Sequence, residues 1–208
     1  MLLDAPQALG FLAAALLLTL APGPDNLLVL SLGAARGRLA GMLFGLGCAL
    51  GCLSHTLLAM LGISALLAAS PLAFGLLRLA GGAYLIYLGW MALRSSGGAA
   101  PQASQSEDSL RQLFLRGLIA NAINPKVVLF FLSFLPQFVQ PTRGDSTLQI
   151  AQLGLLFTLQ AALLFSLLGY FAGQVGEWLK AERQRGLWLD RLAGGVLLAL
   201  GLRLLLLG

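Results

Sequence analysis

Between Leu9 and Leu32 the chain would read as one apolar run, but Ala21-Pro22-Gly23-Pro24-Asp25-Asn26 interrupts it at the centre. The run is long enough to cross a bilayer, which takes about 20 residues. Two prolines and a glycine in its middle remove backbone donors and helix propensity. An acid and an amide follow at the same depth. Irregular backbone is tolerated inside a membrane only where it is buried in protein or lines a polar cavity. A carboxylate at that depth points to function. The rest of the chain is therefore expected to be arranged around this break.

The other segments agree with a membrane setting. Of 208 residues, 58% are hydrophobic and 10% charged, against roughly 25% charged in a soluble domain. Apolar runs at 9–32, 39–67, 72–94, 113–136, 148–176 and 190–207 predict an all-α integral membrane protein with six transmembrane helices. The second run exceeds the hydrocarbon thickness, so tilt or an interfacial end is expected. No connection is long enough for a second folded unit, so residues 1–208 are expected to form one domain. Met1-Leu2-Leu3-Asp4 lacks the basic flank of a cleavable signal, and the first run is expected to stay.

The basic residues set an orientation. Arg36 and Arg38 lie in connection one, Arg94, Arg111 and Arg116 in connection three, and Lys180, Arg183, Arg185 and Arg191 in connection five; connection four has only Arg143. The excess predicts that the odd-numbered connections are cytoplasmic, with both termini outside if there are six spans. The net charge of +5 does not imply nucleic acid, because these residues form no patch interleaved with aromatics.

The chain also resembles itself. Arg78-Leu79-Ala80-Gly81-Gly82 opens the third run, and Arg191-Leu192-Ala193-Gly194-Gly195 opens the sixth. Pro24-Asp25 in run one has a counterpart in Pro125-Lys126 of run four. The polar, small-residue stretch 95–110 reads as a flexible linker between repeat one, 1–94, and repeat two, 111–208. A three-span unit repeated in tandem must insert its second copy upside down. That predicts two inverted three-helix repeats, as in secondary transporters whose sites lie at broken helices near the midplane.

Few polar residues fall within the runs: Asp25, Asn26, His55, Asn121, Asn124, Lys126 and Gln160. Asp25 and Lys126 hold equivalent places in the two halves and carry opposite charge. A lone charge at the bilayer centre costs about 2.5–3.5 kcal/mol on insertion scales, so the two are expected to face each other or a wet cavity. Asn121 and Asn124 can satisfy backbone groups freed by Pro125, or contact a polar solute. Cys48, Cys52 and His55 share one helical face of run two. They would suit a thiophilic metal or a redox couple, but three ligands on one helix leave a metal site incomplete. The glycines around them, Gly41/Gly45 and Gly47/Gly51, have the spacing of close helix contacts, so packing is the expected role. With one histidine, no phosphate loop, no Ser/His/Asp set and no paired carboxylates, the chain reads as a non-enzyme that needs no cofactor and no metal.

Ala21-Pro22-Gly23-Pro24-Asp25-Asn26, the glycine-rich run from Gly41 to Gly51, Leu79-Ala80-Gly81-Gly82-Ala83-Tyr84-Leu85 and Asn124-Pro125-Lys126 resemble the LysE/RhtB family of amino-acid exporters, in its homoserine/threonine/leucine efflux-like branch. The similarity runs over nearly the whole chain. It implies a bacterial inner-membrane exporter of amino acids or their derivatives, driven by the proton-motive force and assembled as a homo-oligomer in the lipid bilayer. It carries over Pro22, Gly23, Pro24, Asn124, Pro125 and Lys126 as motif positions, whereas Asp25 stands where one branch commonly has a polar or acidic residue.

The resulting expectation is a proton-coupled secondary exporter of a neutral amino acid of the threonine, homoserine or leucine type. Pro22, Gly23, Pro24, Asp25, Asn26, Asn121, Asn124, Pro125 and Lys126 would form the substrate site, with Asp25 also carrying the proton. The alternatives are a heavy-metal exporter or a transmembrane thiol electron carrier using Cys48 and Cys52, and an assembly subunit.

Overall fold

The structure is a computed structural model that describes residues 3–95 and 108–206; most of the expected linker, 96–107, lies outside the described residues. Every regular element among them is helical. Helix α1 (Ala5–Leu20) starts at Asp4, which accepts from the Gln7 backbone N–H while the Gln7 side chain accepts from the Asp4 N–H. This reciprocal cap satisfies two orphan donors. The helix stops at the Pro22–Gly23 break, and α2 (Pro24–Arg36) restarts with proline in its first turn, where the missing N–H would have no partner anyway. The two are bent by 58°.

The second half repeats the device. Helix α5 (Leu110–Ala122) ends before Asn124, which caps α6 (Pro125–Leu129) by accepting the Lys126 N–H, again with proline in the first turn. The helix then widens to a π turn at Phe130–Phe134 and tightens to a 3-10 turn at Leu135–Phe138. Residues 110–122 and 125–138 are bent by 47°. Both expected breaks are therefore present.

Among the described residues, three unbroken stretches, Arg38–Gly62 of α3 (Arg38–Ala69), Leu72–Arg94 of α4 (Pro71–Arg94) and Ser146–Tyr170, which is α7, are long and apolar enough to cross a membrane. Counting each bent pair as one crossing gives up to five. The expected fifth run, 148–176, is divided: α7 stops at Tyr170 and α8 (Ala172–Ala181) follows. The expected sixth run is helical in α9 (Arg183–Leu206) but, within the described residues, is not among the crossing segments; Asp190, Arg191 and Arg203 dilute its apolar character.

Glycines set the helix pairs. A Cβ on Gly41 of α3 would lie 2.9 Å from Gly33 Cα and 3.1 Å from Gly169 Cα, and one on Gly45 would lie 2.8 Å from Phe165 Cβ. On another face of α3, Gly47 meets the backbone of Phe114 and Leu118 in α5. Small residues thus let backbones touch. Gly41 and Gly45 serve α7, and Gly47 serves α5. Helices α4 and α9 cross antiparallel, with Gly82 against Gly201 and Gly89 against Gly194. A cation–π contact of Arg38 with Tyr170 at 4.5 Å and a hydrogen bond from Arg36 to the Asp108 carbonyl gather connections one, three and five at one end. The Asp4–Arg143 ion pair, 2.9 Å, joins the N-terminus and connection four at the other.

Candidate functional site

Each break ends one helix early and leaves carbonyls without their helical donors. In the first break the Thr19 carbonyl accepts from Asn26 Nδ2 at 2.8 Å, and the Ala21 carbonyl accepts from Lys126 Nζ at 2.7 Å. Lys126 belongs to the other half of the chain. In return, Asp25 Oδ2 accepts from Asn121 Nδ2 at 2.8 Å and Asn124 Nδ2 at 3.0 Å. Each half supplies the charged group that the other half's backbone or amides hold.

Asp25, Asn121, Asn124 and Lys126 are buried, none more than 7% exposed, so their charges and amides depend on one another for hydrogen bonds rather than on bulk water. Asp25 sits in the first turn of α2, where the helix dipole favours an anion. The residue preceding that turn, Gly23, offers no side-chain cap. Gly23 is extended at φ −159°, which any residue adopts. Its hydrogen is explained instead by Lys126, whose Nζ would be 3.3 Å from a Cβ placed there.

These groups surround a cavity bordered by Leu18, Thr19, Gly23, Asp25, Asn26, Cys52, Asn121, Asn124, Lys126, Val127, Phe157 and Phe165. Its free volume of about 20 Å³ has room for a water molecule. A solute of amino-acid size enters only if the walls move.

Of the residues singled out in the sequence, Gly23, Asp25, Asn26, Asn121, Asn124 and Lys126 border this cavity, whereas Pro22, Pro24 and Pro125 do not and act on it through the breaks. Asp25 and Lys126, expected to face each other or a wet cavity, both border this cavity, with no ion pair between them among the described residues. The break carbonyl and the two amides hold the two charges.

Several residues were not foreseen at the site. Thr19 borders the cavity and its hydroxyl accepts from Gln160 Nε2 at 2.9 Å. Gln160 is 8% exposed, and its Oε1 has no protein partner. A polar side chain within the apolar fifth run was the available signal. Cys52 also reaches the cavity, with its thiol 3.3 Å from Asn121 Oδ1. His55 Nε2 is 3.0 Å from the Asn121 carbonyl. Asn121 is thus fixed from three sides. Both cysteines are free thiols, and no group of three His, Cys, Asp or Glu side chains among the described residues is placed to hold a metal.

The chain is 33% identical over 192 residues to an uncharacterized membrane protein of Pseudomonas aeruginosa, covering 89% of this chain and 88% of that one. An uncharacterized membrane protein of Bacillus subtilis is 29% identical over 204 residues, with 94% and 96% covered. A leucine efflux protein of Salmonella typhimurium is 35% identical over 136 residues, 64% of this chain and 63% of that one. No solved structure matches. The family model described as LysE type translocator matches residues 16–208, and the chain belongs to that family of membrane transporters.

Proposed function

We propose that this chain exports a neutral amino acid across the bacterial inner membrane in exchange for protons, from a site between its two helix breaks. The observation that carries the reading is the reciprocal grip described above. A carboxylate of the first half is held by amides of the second, and an ammonium of the second is held by a carbonyl of the first. A buried anion and a buried cation beside one cavity match the two charges of a zwitterion. The name of the leucine efflux relative supports the same substrate class.

In this reading the solute's carboxylate docks against Lys126 and the uncapped first turn of α2, a helix terminus suited to anions. Its ammonium docks against Asp25, helped by Asn26, Asn121 and Asn124. Asp25 carries a proton in the return step, because a carboxylate's proton affinity follows its neighbours. The antiparallel crossings of α3 with α7 and α4 with α9, and the matched breaks, support two inverted three-helix repeats of six spans, rocking to alternate access. The collection of connections one, three and five at one end supports their cytoplasmic placement, with the termini outside, and a homo-oligomer fits the family.

Replacing Asp25 by asparagine keeps the shape and removes the charge. The variant should insert in the membrane at normal levels yet fail to protect cells from a toxic amino-acid analogue. Full protection would overturn the coupling role.

A further inference from the structure

The cavity is shut toward the end of the bundle that carries Asp4 and Arg143, and the closure has two layers. Phe157, which borders the cavity, has ring centroids 4.9 Å from Phe131, 5.5 Å from Phe130 and 6.5 Å from Phe11. Phe11 continues the chain of rings to Phe138, edge-on at 5.4 Å. Beyond the rings lies a clasp of amides. Gln7 Nε2 donates to the Phe138 carbonyl and lies 3.2 Å from Gln149 Oε1. Gln149 Oε1 accepts the Gln140 N–H at 2.9 Å, and its Nε2 donates to the Gln140 carbonyl at 2.9 Å. Gln149 is fully buried and Gln7 is 6% exposed. The clasp joins the start of α1, the end of the 3-10 turn and the start of α7, with the Asp4–Arg143 pair outside it.

Two properties set this closure apart from the opposite end. There, α2, α3, α7 and α8 meet through Gly33, Gly41, Gly169 and Ala172, small residues that bring the backbones close, alongside the contacts of Arg36 with Asp108 and of Arg38 with Tyr170. Here the contacts are made by longer side chains, the phenylalanine rings and the amides of Gln7 and Gln149 acting on the Phe138 and Gln140 backbone, and amide hydrogen bonds exchange readily for water. The π turn at Phe130–Phe134 connects the Pro125 break to Phe138; such turns occur often at functional positions. A change of bend at Pro125 would therefore move the rings and pull on the clasp together.

We propose that Gln7, Gln140 and Gln149, with Phe11 and Phe138 beneath them, form the gate through which the cavity opens toward the N-terminal face. The proposal rests on the transport reading above for its purpose, but not for its labelling test. Cys52 borders the cavity, and Cys48 is the only other cysteine. In a Cys48→Ala background, a membrane-impermeant maleimide can be applied from either face of sealed vesicles of known orientation. With Gln7→Ala and Gln149→Ala together, Cys52 should be labelled at least tenfold faster from the N-terminal face and at an unchanged rate from the other. No acceleration, or equal acceleration from both faces, would overturn the gate. A second variant covers failure of the first to fold. Gln7→Cys with Gln149→Cys, joined by a short reducible crosslinker, should stop export until reductant is added; export through the crosslinked form would also overturn it. If labelling responds as stated in a chain that moves no amino acid, the gate stands and the substrate reading falls.

Discussion

Gly23→Ala isolates the contribution of Lys126 without touching its charge. The backbone at Gly23 is extended, so alanine introduces no conformational strain. The added methyl would sit 3.3 Å from Lys126 Nζ and 3.7 Å from its Cδ, tight enough to shift the ammonium by a few tenths of an ångström. What the shift weakens is the 2.7 Å bond to the Ala21 carbonyl. A hydrogen bond to a charged group contributes about 1.5–3 kcal/mol, and losing part of it is worth about 1 kcal/mol, or roughly fivefold in rate or affinity. Uptake of radiolabelled leucine by inverted vesicles would measure it, beside Lys126→Met and the double variant. The single variant should transport about fivefold less, and adding it to Lys126→Met should cost nothing further. Independent, multiplying effects would refute the link between Gly23 and Lys126.

Other substitutions address the remaining contacts. Gln160→Leu removes the unpartnered buried oxygen, so the detergent-solubilised protein should melt no lower than wild type; transport measured beside it would register the loss of the Thr19 contact. Gly41→Leu forces a side chain into the α2–α3–α7 contact and should destabilise by about 1–3 kcal/mol, seen as a lower melting temperature. Cysteines at positions 25 and 126, in a chain otherwise free of cysteine, should be joined by a short bifunctional reagent, since both positions border one cavity; failure to crosslink in membranes would place the two breaks apart.

The two breaks are legible in the sequence because proline has no N–H to give a helix, and glycine beside it removes any doubt about where the run stops. Asp25, Asn121, Asn124 and Lys126 are legible for a related reason: at that depth a polar side chain has few places to go. Their partners are not legible. Opposite charges suggest that Asp25 and Lys126 face each other or a wet cavity, but a break also frees carbonyls, and the sequence does not show that Ala21 claims the ammonium. Gln7 and Gln149 stand near the ends of apolar runs far apart in the chain, and only the fold brings them together. The last run is the least legible: its leucines outnumber its charges, yet Asp190, Arg191 and Arg203 keep α9, within the described residues, out of the crossings by length and composition.

Proton movement in proteoliposomes tests the exchange at Asp25 directly. With leucine loaded on one side and a pH-sensitive dye inside, the wild-type chain should show proton flux opposite in direction to the leucine gradient. Asp25→Asn should show none, while still exchanging labelled for unlabelled leucine. Proton flux of wild-type size in the Asp25→Asn protein would contradict the assignment, and so would leucine movement in the wild-type protein with no proton moving against it.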